Sequence, residues 1–383
     1  MNSDGYKLFL KKASANIASG EAGSASERIE EPNYRFKNQS NVSTKLGSML
    51  QKSIENLDEA LLKFERYYSD KNNKLYWALD YQDLFRQLEL IVAKNSVTSY
   101  CLVDSFENSV LEEFGLPFFF RDHNITTKDD ADLQIFDVDM MLQDSGFMLF
   151  VGRDDKYLKK LNNNKINIFI STISRLGIDL SSAELFTQFK TGSDVARKGS
   201  QNFILFKGSQ NCDNYLFIVD NQRSNVMANK RQRAILTCIE CGRCREACPV
   251  TNIVGKEAYN NVFWGPVGHV VLPYMEDEYD QAFISYACTL CGRCEEVCPL
   301  SLPIKNMVLE NRHKLLSNNS VPSNDRYRLM MFRHFLESRK MMNRNALLKK
   351  ILFSFVSTSN VRHNRRLPVF SKSTFNSNIT NAK

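Results

Sequence analysis

The chain has no apolar run approaching the roughly 18 residues that span a bilayer. Its start, MNSDGYKLFLKKASANIASG, lacks a continuous apolar stretch, so a secretory signal is not expected. No G-x-G-x-x-G and no P-loop occur, so no nucleotide site announces itself. Cysteines are nearly absent outside two short runs, which hold eight of the ten. That clustering excludes a scattered disulfide framework and fits a reducing, cytoplasmic setting. Acidic residues are missing from 338–383, a stretch with ten Lys and Arg. Of the formal net charge of +7, the rest of the chain therefore holds −3. The basicity belongs to a tail, and the tail has few aromatics. Charge alone gives only non-specific affinity for nucleic acid, so no specific nucleic-acid partner is expected.

What is present falls into four segments. Residues 1–40 are polar, with a short helix and a linker. Residues 41–222 read as α/β. Leu46, Leu50, Ile54, Leu57, Leu61, Leu62 and Phe64 recur at helical spacing, and YQDLFRQLELIVAKN predicts a second helix. Five short apolar runs then have the length of buried strands: 99–104, 146–152, 166–172, 202–208 and 214–220. DLSSAELFTQFK between them predicts a helix capped by Asp179 or Ser181. Cys101 and Cys212 read as buried apolar cysteines. Asp144, Ser145 and Gly146 read as a turn before a strand, the alternative being a remnant pocket. From 223 to 318 strand-like runs almost vanish. SNVMANKRQRAILT predicts a helix leading into the first cysteine run, and LPIKNMVLENRHKLL a helix after the second. Residues 319–383 form a helical region and a Ser/Asn-rich basic tail. Leu348, Ile351, Leu352 and Phe355 lie on one face of its helix, beside Lys349 and Lys350. Such a helix can pack on its own domain, or rest on a membrane surface or an acidic partner.

The two cysteine runs, CIECGRCREACP (238–249) and CTLCGRCEEVCP (288–299), share the pattern C-x2-C-x2-C-x3-C-P. Three thiolates at that spacing wrap one cubane, and the fourth ligates the other cluster in two-cluster proteins. The spacing thus predicts two [4Fe–4S] clusters. One is held by Cys238, Cys241, Cys244 and Cys298, the other by Cys288, Cys291, Cys294 and Cys248. Zinc is the alternative, but four-cysteine zinc sites usually come as two C-x2-C pairs with a longer loop between them. Gly242 and Gly292 allow close backbone approach, so that N–H groups can point at sulfur. Pro249 and Pro299 fix φ as the chain leaves each run. Arg243 and Arg293 stand at matching positions, where they either offset cluster charge or lie on the surface. Phe263 and Trp264 are candidates to cover a cluster, and His269 reads as a packing histidine. With two one-electron centres and no visible two-electron site, no catalytic residue is assigned, and the chain reads as a wire.

NYLFIVDNQRSNVMANKRQRAILTCIECGRCREACPV, GKEAYNNVFWGPVGHVVLP and CTLCGRCEEVCPLSLPI resemble the iron–sulfur subunit of the bacterial lactate-utilisation complex. ENLDEALLKFERYYSDKNNKLYWALD and LPVFSKSTF are also similar to that family. The resemblance covers most of residues 43–375 and is strongest over 214–304. It implies a LUD-type α/β domain, related to the isomerase and CoA-transferase group, followed by an all-α ferredoxin domain. It also implies a cytosolic complex that oxidises L-lactate to pyruvate, with a cysteine-rich subunit and a LUD-only subunit as partners. The alternatives are electron transfer for another dehydrogenase or a heterodisulfide-reductase-like complex, or a redox-sensing or structural iron–sulfur protein.

Overall fold

The structure, a computed structural model, describes residues 40–317 apart from 104–109, 154, 163–164, 192–202, 257–258, 260–262 and 276–283. Lys11, Tyr327, Met330, Arg333 and Glu337 are also described. The expected N-terminal helix and linker and the C-terminal basic helix and tail otherwise lie outside the described residues. Two units divide the chain after Arg312. In the smaller one, Arg333 and Glu337 pair at 2.6 Å, one helical turn apart. The last helix of the larger unit begins at Ile304 and runs on to Ser317.

The early helical stripe forms two helices, Ser40–Glu55 and Leu57–Tyr68, which meet at Asn56. Leu46, Leu50, Ile54, Leu57, Leu61 and Phe64 are buried as the spacing requires. Leu62 is 60% exposed, one position round the helix from the buried face. The helix Tyr81–Lys94 begins at Asp80, whose carboxylate accepts from the Asp83 N–H at 2.8 Å.

Ten strands follow in chain order: β1 (Asn73–Ala78), β2 (Ser99–Leu102), β3 (Thr126–Thr127), β4 (Leu133–Asp137), β5 (Met140–Leu142), β6 (Phe147–Val151), β7 (Ile166–Thr172), β8 (Leu176–Gly177), β9 (Phe203–Phe206) and β10 (Asp213–Val219). Six form one sheet in the order β1-β10-β7-β4-β2-β3, every pair parallel. The other four form a mixed sheet, β8-β5-β6-β9. All five runs expected as strands are strands, and β1, β3, β4, β5 and β8 add to them.

Alternate residues of the central strands feed two cores. Ile166, Ile168, Ile170, Phe217 and Val219 pack with Leu84, Leu88, Phe119 and Phe120 on one face. Phe169, Leu216 and Ile218 pack on the other with Phe64, Tyr68 and Phe150. This second core continues into Ile235, Val270, Val271, Leu302 and Met307 beyond the α/β part. The first cysteine run is tied in as well: Ile239 and Cys241 share a cluster with Leu46, Leu50, Met140 and Phe186.

From Arg223 to Ser317 every described element is helical. The expected single helix before Cys238 is two pieces, Arg223–Ala228 and a 3-10 turn at Arg233–Thr237. Between them Asn229 turns the chain: its carbonyl accepts from the Gln232 and Arg233 N–H groups.

Candidate metal centre

Cys238, Cys241, Cys244 and Cys298 line one cavity, together with Gly242, Pro299, Phe263 and Leu300. Cys248, Cys288, Cys291 and Cys294 line another, with Gly292, His269 and Lys305. Each cavity therefore gathers three cysteines of one run and the last cysteine of the other. The first holds about 1020 Å³ of space, open in part to solvent, and the second about 370 Å³. Among the described residues, no three His, Cys, Asp or Glu side chains meet as a single metal ion would require. A [4Fe–4S] core takes one thiolate at each of four iron corners, so donor type and arrangement fit such a group.

The two runs fold alike. Gly242 and Gly292 adopt φ of 78° and 83°, each just before a short helix, Arg243–Ala247 and Arg293–Glu296. Glu240 and Leu290, one residue before the second cysteine, also have positive φ. That turn aims the Glu240 N–H at Cys238 Sγ and the Leu290 N–H at Cys288 Sγ, both at 3.4 Å. Such donors stabilise sulfur-borne negative charge. Pro249 opens the helix Pro249–Val254, where a missing N–H costs nothing. No helix begins at Pro299; its carbonyl accepts from Ser43 Oγ of the first long helix.

Burial dominates the thiol chemistry. It pushes the Cys238, Cys241, Cys244, Cys288 and Cys298 thiols up, and Cys294 to about 12. Neighbouring cysteines add to the rise at Cys244 and Cys294. Taking up a metal group must therefore release protons here.

The surroundings of the two runs differ. Cys241, Gly242 and Arg243 are buried, whereas Cys291 and Arg293 are exposed. The first cavity lies at the carboxyl ends of the parallel strands, where α/β sheets commonly place ligands. Ser174 and Arg175 follow β7, Arg223 follows β10, and all three line it. Both arginines are paired. Arg223 meets Glu113 at 2.8 Å and stacks on Phe263 at 5.4 Å. Arg175 Nη1 pairs with Asp137 and donates to the Val138 carbonyl, while Nη2 meets Glu240 at 2.6 Å. Desolvation pushes the half-buried Glu240 carboxyl up, but Arg175, Lys190 and Arg223 together hold it below its usual range.

Phe263 lines the first cavity, but Trp264 packs among Val250, Tyr259 and Leu272, with Arg245 over its ring at 4.9 Å. His269 is buried. Its Nδ1 lies 2.6 Å from the Ile284 carbonyl and its Nε2 3.1 Å from the Tyr259 hydroxyl. Burial lowers its pKa to about 4, so the ring is neutral near pH 7. Asp144, Ser145 and Gly146 form the β5–β6 turn, with Lys63 on Asp144 at 2.6 Å. Cys101 and Cys212 are buried, the latter in the turn before β10. Arg175, Arg223 and Glu113 escaped the sequence reading. Arg175 and Arg223 follow strand-like runs and Glu113 closes the short helix Val110–Glu113, but nothing in their local patterns signals a site.

Residues 234–302 match the 4Fe-4S dicluster domain family. The chain is thus similar to a dicluster iron–sulfur domain over that stretch and to proteins named lactate utilization protein B. The Bacillus subtilis protein of that name is 26% identical over 194 residues, 49% of this chain and 40% of the relative. The Exiguobacterium protein is 36% identical over 102 residues, 27% of this chain and 22% of the relative. The uncharacterized electron transport protein YkgF of Escherichia coli is 33% identical over 118 residues, 31% of this chain and 25% of the relative. Matched stretches thus span two fifths or less of these relatives' own length. No solved structure matches.

Proposed function

We propose that the chain is an electron-transfer protein with two [4Fe–4S] clusters, each bound by three cysteines of one run and the last of the other. The observation that carries this reading is the pair of cavities, each lined by that crossed set of four. When bound, each cluster supplies one-electron chemistry. The chain's own residues hold the clusters and aim N–H groups at their sulfurs. No substrate-oxidising group is assigned to it.

The domain reading is a LUD-type α/β domain over 41–222 and an α-helical ferredoxin domain over 223–318. Residues 1–40 and 319–383 flank them. The all-parallel sheet and the helical stretch after Arg223 support it. The proposed setting is a cytoplasmic complex that oxidises L-lactate, with a cysteine-rich and a LUD-only subunit. Similarity to proteins named for lactate utilization supports that setting. Among the described residues no helix is long and apolar enough to cross a membrane.

The test is iron and acid-labile sulfide on anaerobically prepared protein, with EPR of the reduced form. About eight of each per chain and two interacting signals are expected from two four-iron clusters. Bound zinc with little iron would overturn the reading. Reduction of the clusters by L-lactate, once the two partner subunits are added, tests the setting.

A further inference from the structure

The two cysteine runs are duplicates in sequence but not in surroundings. At the residue before the second cysteine, the first run has Glu240 and the second Leu290, with φ of 54° and 57°. The backbone is the same, so the difference lies in the side chain. Glu240 turns toward the α/β part and meets Arg175 at 2.6 Å. The Arg175 side chain is 8% exposed, and its guanidinium is also held by Asp137 at the end of β4. It also lines the cavity of Cys238, Cys241, Cys244 and Cys298. Among the described residues, no such buried ion pair lines the second cavity. Leu290 lines it, and the cations near it are Lys305, whose side chain is 42% exposed, and the half-buried Arg312, which donates to the Ser285 and Cys288 carbonyls.

We infer that Arg175 sets the reduction potential of the cluster bound by Cys238, Cys241, Cys244 and Cys298, with Glu240 as its counter-charge in the cluster loop. The inference rests on the two-cluster reading above. Reduction adds one electron, hence one negative charge, to the cluster. A fixed charge acts on that step in proportion to how little it is screened, and screening is weak in a buried site. Arg175 is held at the carboxyl end of a central strand, so its charge cannot swing away when the cluster is reduced. The guanidinium favours the reduced form and raises the potential; the Glu240 carboxylate does the reverse. The α/β domain thereby gives the two otherwise similar clusters different potentials. Arg175 is a positioning residue in this account, since it acts by charge and not by ligation.

The test is an EPR-monitored redox titration of the full chain, prepared anaerobically, with iron and sulfide measured on the same samples. Arg175→Met is expected to lower the potential of one centre and leave the other in place. Glu240→Gln, which keeps shape and hydrogen bonding, is expected to raise the potential of that same centre. Arg175→Lys keeps the charge and is expected to stay near the parent. Opposite shifts at one centre are a signature that a merely structural role would not produce. Shifts in the same direction, or unchanged potentials in variants with full iron, would overturn the inference. Should Arg175→Met lose iron, Glu240→Gln decides: a rise at one centre supports the inference, and no change overturns it. Absence of iron from the parent protein would instead overturn the cluster reading.

Discussion

Cys248 closes the first run in sequence, yet it lines the same cavity as Cys288, the opening residue of the second. Cys298 does the reverse, lining the cavity of Cys238. The duplication is thus a mutual arrangement: removing either run would leave both cavities short of thiols.

One cysteine is more exposed than any other of the eight. Cys291 is exposed while its counterpart Cys241 is buried. Thiolate-bound sites with solvent access oxidise first. Iron loss in air is expected in two phases, with the signal of the Cys291 site lost before the other. EPR at intervals after exposure to air checks this; equal rates for both signals would contradict it.

Gly268 packs against backbone. A Cβ there would stand 2.3 Å from the Phe263 carbonyl oxygen, and Phe263 lines the first cavity. Gly268→Ala therefore forces the GPVG segment away from the wall of the site. A loss of about 1–3 kcal/mol is expected, in the range of core overpacking. Chemical denaturation measures the loss, and iron content on the same variant shows whether the first site is the part that suffers.

His269 makes stability depend on pH. Its folded pKa of about 4 lies below the ordinary 6.5, because burial disfavours the charged ring. Below pH 6.5 the unfolded chain binds this proton and the folded chain does not. Stability therefore falls as pH drops from 6.5 toward 4, by roughly 3 kcal/mol in all. His269→Gln is expected to flatten that slope in melts recorded between pH 4 and 7. An unchanged slope would place the dependence elsewhere.

Much of this molecule is legible from sequence because burial leaves a plain mark. INIFIST and NYLFIV are predominantly apolar runs, and β7 and β10 are central parallel strands buried on both faces. The strands β4 and β5 were hidden for the opposite reason. ADLQIFDVDMML carries Asp137 and Asp139, which read as breaks in an apolar run. Both are buried and paired, with Arg175 and Lys190. Those partners lie 38 and 51 residues downstream, and no local pattern can announce them. The metal centre shows the same division. Cysteine spacing gave the ligands and their crossing as an expectation. The charged wall from the α/β part is a product of tertiary folding alone.

The most direct test of the crossed centre is iron and sulfide content in paired variants. Cys241→Ser with Cys298→Ser removes two ligands from one proposed cluster, and about four iron per chain should remain, with one EPR signal. Cys291→Ser with Cys298→Ser removes one ligand from each, and both signals should be disturbed. The reverse pattern, with one cluster left intact in the Cys291/Cys298 pair and both signals disturbed in the Cys241/Cys298 pair, would contradict the account.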